Sequence, residues 1–242
     1  MEIGSGALTA LVLGLLLGIK HATDADHVVA VSTIVSEYRN PLRGLWIGVS
    51  WGIGHTTPLL VAGITILILK EPAAQFYGDY AHFLEFAVGV MLVFLGAQVF
   101  WNFSQRNIHV HDHEHQKDPH MHIHTHELSS APESHHGFLN PGKPFFRVKS
   151  YVVGVVHGLA GSATVMLVVL TTDVVSSFMI GVFYIVLFGI GTIISMGFIT
   201  LLMGIPFSMS GRFERMNGTI TILAGTASIS FGLYLMYDLV TA

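Results

Sequence analysis

His21-Ala22-Thr23-Asp24-Ala25-Asp26-His27 decides how this chain is read. The stretch holds two imidazoles and two carboxylates, flanked by apolar sequence from Leu8 to Ile19 and from Val28 to Val35. Ionisable groups at membrane depth are costly and by default mark an ion or substrate path. Nitrogen and oxygen donors together suit a divalent first-row metal. On an unbroken helix, at ~100° per residue, His21, Asp24 and His27 share an arc of ~120°. Asp26 then points elsewhere, to an outer position or into a local break. The two imidazoles would stand ~9 Å apart along the axis at ~1.5 Å per residue. One metal touches both only if the helix unwinds; otherwise they serve successive sites. A lone His or Asp in an apolar helix is commonly a packed, hydrogen-bonded core residue. Four such groups together exceed that reading, because each buried charge without a partner costs several kcal/mol.

Working outward, the chain has 242 residues, of which 52% are hydrophobic and 11% charged. Soluble domains carry about 25% charged residues, so an all-α, polytopic membrane protein is expected. The formal net charge of −4 says little about partners, since the charges fall in loops. Cys is absent, which excludes a disulfide framework, a zinc finger or a thiolate metal site and argues against a soft ion such as Cu(I). No cleavable signal peptide is expected, because the first apolar segment lacks a basic start and carries the main motif. Nothing resembles a nucleic-acid-binding surface.

Apolar spans of membrane length, ~17–25 residues or longer if tilted, divide the chain. They run over about 6–35, 45–69, 82–103, 151–170, 177–203 and 219–239, giving six transmembrane helices. The first is long, as a broken or tilted helix would be. Polar turns are expected over 37–43 and 70–80. Three domains follow: 1–103, a first three-helix repeat; 104–147, a His-rich loop; and 148–242, a second three-helix repeat.

The halves repeat. Gly18-Ile19-Lys20-His21 matches Gly154-Val155-Val156-His157 at an offset of 136, and Gly52-Ile53-Gly54-His55 matches Gly189-Ile190-Gly191-Thr192 at 137. Gly89 and Gly96 match Gly225 and Gly232, again at 136. Three helices per repeat is an odd number, so the second half enters the membrane inverted, a transporter architecture with a midplane site. The first half carries His21, Asp24, Asp26, His27 and His55; the second offers His157, Ser162, Thr164, Thr192 and Ser195. The second half reads more as lid and wall than as ligand donor. The glycines read mainly as packing positions that let helix backbones approach.

Nine of the eleven Lys and Arg fall in the loops after the first, third and fifth spans. The positive-inside rule puts those loops in the cytoplasm and both termini outside, in the cell (inner) membrane. Lys20, beside His21, either snorkels, pairs with Asp24 or gates cations.

His-Ala-x-Asp-Ala-Asp-His at 21–27 resembles the signature of the nickel/cobalt transporter family, including its short urease-accessory type. Gly52-Ile53-Gly54-His55-Thr56-Thr57 is similar to that family's Leu-Gly-His-Ser-Thr block. His157-Gly158-Leu159-Ala160-Gly161-Ser162-Ala163 looks like the short members' second-half motif. The resemblance covers most of the hydrophobic chain and implies a multi-spanning carrier of Ni²⁺ or Co²⁺. The Asp-Thr-Ala-Thr-Glu block of the longer members is absent from the second half.

The loop between the halves holds ten His between 109 and 136. Eight form two alternating runs, His109, His111, His113 and His115, then His120, His122, His124 and His126. Such tracts read as metal binding, and alternation aligns the imidazoles on one face of an extended segment. With few large apolar residues, the loop is expected to be largely disordered without metal.

The leading reading is transport of a divalent ion, Ni²⁺ or Co²⁺, through His21, Asp24, Asp26, His27 and His55, with His157 as a further ligand. The His-rich runs form an accessory metal-binding loop. Uptake is favoured over efflux by the same site, since a potential negative inside draws a divalent cation in by ~4.6 kcal/mol per 100 mV. An intramembrane metalloenzyme is the alternative from another class. It needs an open coordination position and a general base, and no separate acid/base constellation is present. The chain is therefore read as no enzyme, with no cofactor required. Its expected partners are the metal ion and the lipid bilayer, with a metallochaperone or other transporter subunits as further candidates and no nucleic acid. No nucleotide-binding P-loop is present.

Overall fold

The computed structural model describes residues 5–36, 41–106, 110–111, 122–123, 147–160, 170, 175, 177–209 and 214–241. Among these residues the chain is helical: α1 (Ser5–His21), α2 (Ala25–Val35), α3 (Pro41–Leu69), α4 (Glu71–Arg106), α5 (Val148–Gly158), α6 (Phe178–Met209) and α7 (Glu214–Thr241). A two-residue antiparallel pair, β1 (Val110–His111) and β2 (His122–Ile123), sets His111 opposite His122 in the backbone register.

Among the described residues, four helices are long and apolar enough to cross a membrane: α3, and most of α4, α6 and α7. The pair α1 and α2 passes the same test together, bent by 53° at its break, and forms a fifth crossing if taken as one span. Large apolar side chains such as Phe83, Phe94, Trp101 and Val240 are exposed along these helices. Lipid accepts that, because helices satisfy their own backbone hydrogen bonds. The molecule is a helical, multi-pass membrane protein. The span expected over 151–170 is described only through Ala160 and again at Leu170, so most of its second half, with Ser162 and Thr164, lies outside the described residues.

The expected 70–80 link is corrected. A single residue, Lys70, separates α3 from α4, and helix runs through Tyr77, Gly78 and Tyr80. Lys70 takes φ 52, and its carbonyl accepts from the amides of Ala73 and Ala74. One left-handed residue reverses the chain, and Pro72 falls in the first turn of α4, where its missing N–H costs no helical bond. Pro41 likewise opens α3, so Arg43 belongs to a helix rather than to the turn expected there.

The main packed pairs are α3 on α6, α4 on α7, α1 on α6 and α3 on α5. Glycines sit at each of these contacts. Gly18 faces the Phe188 carbonyl, Gly191 the Leu15 carbonyl, Gly154 the Trp51 carbonyl and Gly54 the Tyr151 carbonyl. In the other pair, a Cβ on Gly96 would stand 2.6 Å from the Gly225 oxygen, and one on Gly232 2.6 Å from that of Gly89. Small residues let helix backbones meet this closely where hydrophobic driving force is lacking. The interior divides into one cluster around Val31, Ile47, Trp51, Leu92 and Met196 and another around Leu59, Tyr184, Ile185 and Phe188.

Candidate metal centre

The centre begins with the end of α1. Thr23 donates its hydroxyl to the Lys20 carbonyl at 2.6 Å, and the amides of Thr23 and Asp24 return to the carbonyls of Lys20 and His21. Local bonds replace the helical ladder there. Asp24, with φ −62 and ψ 146, opens α2, and Asp26 lies in its first turn. A carboxylate is favoured at that helix end.

The break brings together what a straight helix would separate. The ring centroids of His21 and His27 are 4.7 Å apart. Asp26 points into the cluster, the local-break option of the sequence reading. His55 enters from the middle of α3 and His157 from the last turn of α5. Gly158 faces the His55 carbonyl so closely that a side chain there would not fit, which lets α5 carry His157 in. His27, His55 and His157 are fully buried and His21 nearly so.

Polar contacts within the cluster are specific. Lys20 Nζ donates to Asp24 Oδ1 at 2.8 Å, and Asp24 Oδ2 lies 3.1 Å from His21 Nδ1. His21 Nε2 and His55 Nε2 are 2.8 Å apart. Asp26 Oδ1 lies 3.0 Å from His27 Nδ1, and Asp26 Oδ2 lies 2.8 Å from His157 Nε2. A carboxylate only accepts, so His21 Nδ1, His27 Nδ1 and His157 Nε2 carry the protons. In neutral rings this leaves lone pairs on His21 Nε2 and His27 Nε2. The first is met by His55, and the second is buried without a partner among the described residues. His55 Nδ1 and His157 Nδ1 are also buried without partners. A carboxylate behind an imidazole, with the far nitrogen bare, is the usual support of a metal-binding His.

Two sets of donors fall within metal-binding reach. The donor atoms of His21, His27 and His55 lie within 4.8 Å of one another, as do those of Asp26, His27 and His157. Asp24 is in neither set and braces His21. Lys20 pairs with Asp24, one of the options its position left open, with its side chain 72% exposed. Thr192, at the repeat position of His55, gives its hydroxyl to the carbonyls of Gly18 and Phe188, and Ser195 gives its own to Ile19. Both hold α1 in place.

Two residues escaped the sequence reading. Trp51 is fully buried, with its ring 5.6 Å from that of His157 and 6.5 Å from that of His27. Tyr77 donates to the carbonyls of Leu159 and Ala160 at 3.1 and 2.9 Å, just past the helix that carries His157. Trp51 lies four residues before His55 and so on its face, a usable signal. Tyr77 sat in an apparent link and gave none. His111 and His122 are described in backbone alone, and His109, His113, His115, His120, His124 and His126 lie outside the described residues.

A urease accessory protein UreH from Bacillus sp. (strain TB-90) is 39% identical over 232 residues, covering 96% of this chain and 92% of that protein. The chain belongs to the UreH family. Two chloroplast proteins of Arabidopsis thaliana, FOR GROWTH AND FERTILITY 1 and 2, are each 25% identical over 235 and 240 residues, and the chain spans 59% and 55% of their lengths. No family model and no solved structure matches. A UreH-type chain is an accessory protein and not itself an enzyme.

Proposed function

We propose that this UreH-family chain carries Ni²⁺ through the membrane, in the direction of uptake, on His21, Asp26, His27, His55 and His157, with Asp24 bracing His21. The observation that carries the reading is the donor cluster itself: four His and one carboxylate, buried between apolar helices, with the donor atoms of each of two overlapping sets within 4.8 Å of one another. Imidazole suits nickel. A relative named for an accessory role to urease, a nickel enzyme, favours Ni²⁺ over Co²⁺ as the physiological cargo. The membrane potential favours entry of a divalent cation without ATP.

The two halves act as inverted three-helix repeats around this site. The glycine contacts support that relation, since each maps onto another by the sequence offset: Gly18 with Phe188 onto Gly154 with Trp51, and Gly191 with Leu15 onto Gly54 with Tyr151. The loop of residues 104–147 faces the cytoplasm in this reading, where its His receive incoming metal.

Sealed vesicles holding the purified chain test the function. Ni²⁺ should enter on imposing a potential negative inside, faster than Zn²⁺ or Mn²⁺, with Co²⁺ as the closest competitor. A His21→Ala/His27→Ala double variant should carry none. Wild-type flux in that variant refutes the site. In cells, raised metal resistance with lowered cell nickel would make the chain an exporter.

A further inference from the structure

The buried donors form two groups, and His27 belongs to both. His21, His27 and His55 make one; Asp26, His27 and His157 make the other. The ring of His27 lies 4.7 Å from that of His21, 4.9 Å from that of His55 and 4.4 Å from that of His157, while His55 and His157 are 6.2 Å apart. Its two nitrogens have different surroundings. Nδ1 is held by Asp26, and Nε2 is buried without a partner. The groups also differ in chemistry and origin. The first has imidazoles alone, from α1, α2 and α3. The second includes a carboxylate and joins α2 to α5, across the two halves of the chain.

We propose that the cargo ion occupies two successive positions that share His27, one on His21, His27 and His55 and the other on Asp26, His27 and His157. This rests on the reading of the cluster as a transport site. An ion moving between the positions keeps one protein ligand throughout, so it never has to regain a full hydration shell midway. Where both positions use the same ring nitrogen of His27 they are exclusive, so a single ion is bound at a time. Passage needs binding strong enough to admit the ion and weak enough to release it, and two adjoining incomplete sets meet that better than one closed cage. The second set is the one that relative motion of the halves makes or breaks, the kind of motion that alternating access uses.

The test uses the full chain with the ten His between 109 and 136 replaced by Ser, so that the loop contributes no binding, and Ni²⁺ as the probe. His55→Gln and His157→Gln each remove a donor from one position alone. Each variant should still bind a single Ni²⁺ per chain, by equilibrium dialysis, with X-ray absorption reporting different ligand sets in the two. Each should lose flux at least ~10-fold, and His27→Gln should lose binding. Gel filtration checks folding, and Asn replaces Gln in any variant that aggregates. Either variant failing to bind Ni²⁺ while folded would mean one site, not two. Wild-type flux in His157→Gln would remove the second position. The loop-substituted chain with the buried cluster intact binding no Ni²⁺ sinks the proposed function and this inference together, whereas the preceding two results leave the function standing.

Discussion

Asp24 and Asp26 stand two residues apart and act differently. Asp24 spends one oxygen on Lys20 and the other on His21, so its contribution to the ion is through the ring it holds. Loss of such a brace costs ~10–100-fold in metal affinity. Asp24→Ala should therefore weaken Ni²⁺ binding by about that factor without abolishing it, as calorimetry on the purified chain can establish. An imidazole must be unprotonated to hold metal, so protons compete with the ion and binding should weaken as pH falls. Affinity that stays constant down to the pH at which the chain unfolds would remove His from the site. The four residues of the motif were legible from charge in an apolar setting. Their pairing was not, because angular arithmetic on a continuous helix turns Asp26 away from His21, and only the break after His21 reverses that.

At the scale of the element, the long first span was legible as something bent or broken, and the break falls at the motif. The position of α5 on α3 depends on residues with no side chain, as does that of α1 on α6. Gly18→Ala would force a methyl onto the Phe188 carbonyl, and overpacking of this kind costs ~1–3 kcal/mol. The melting temperature in detergent should drop. Gly78→Ala, in α4 with nothing within 4 Å of the added carbon, should leave it unchanged or raise it slightly. Equal melting of both variants would show that the α1 and α6 backbones are not in close contact. The start of α4 was illegible because Lys70, Pro72 and Gly78 look like turn residues, yet one left-handed Lys and a first-turn Pro are compatible with helix on both sides.

At the scale of the molecule, composition alone announced a membrane protein, and the glycine offset suggested two halves, a relation that the proposed function uses. What composition cannot convey is which groups meet across those halves, since Asp26 and His157 are 131 residues apart. On the proposed reading the His-rich segment has a role in uptake separate from the buried cluster. If it collects metal after passage, replacing all ten His between 109 and 136 by Ser should alter the concentration dependence of cell loading and leave flux into vesicles intact. Complete loss of vesicle flux would make the loop part of the path.

The break after His21 also has an electrical consequence. The seventeen residues of α1 span ~25 Å at ~1.5 Å per residue, most of a hydrocarbon core ~30 Å thick. The 53° bend shortens the combined rise of α1 and α2 along the membrane normal. On the proposed reading the cluster sits inside the transmembrane field, and the ion carries charge through part of that field when it binds. Each tenth of the field crossed before binding is worth ~0.5 kcal/mol per 100 mV to a divalent cation. Occupancy is then voltage-dependent before any helix moves. Ni²⁺ binding to polarised vesicles should tighten as the far side is made more negative, and affinity indifferent to potential would mean that the cluster opens to solution at the membrane surface.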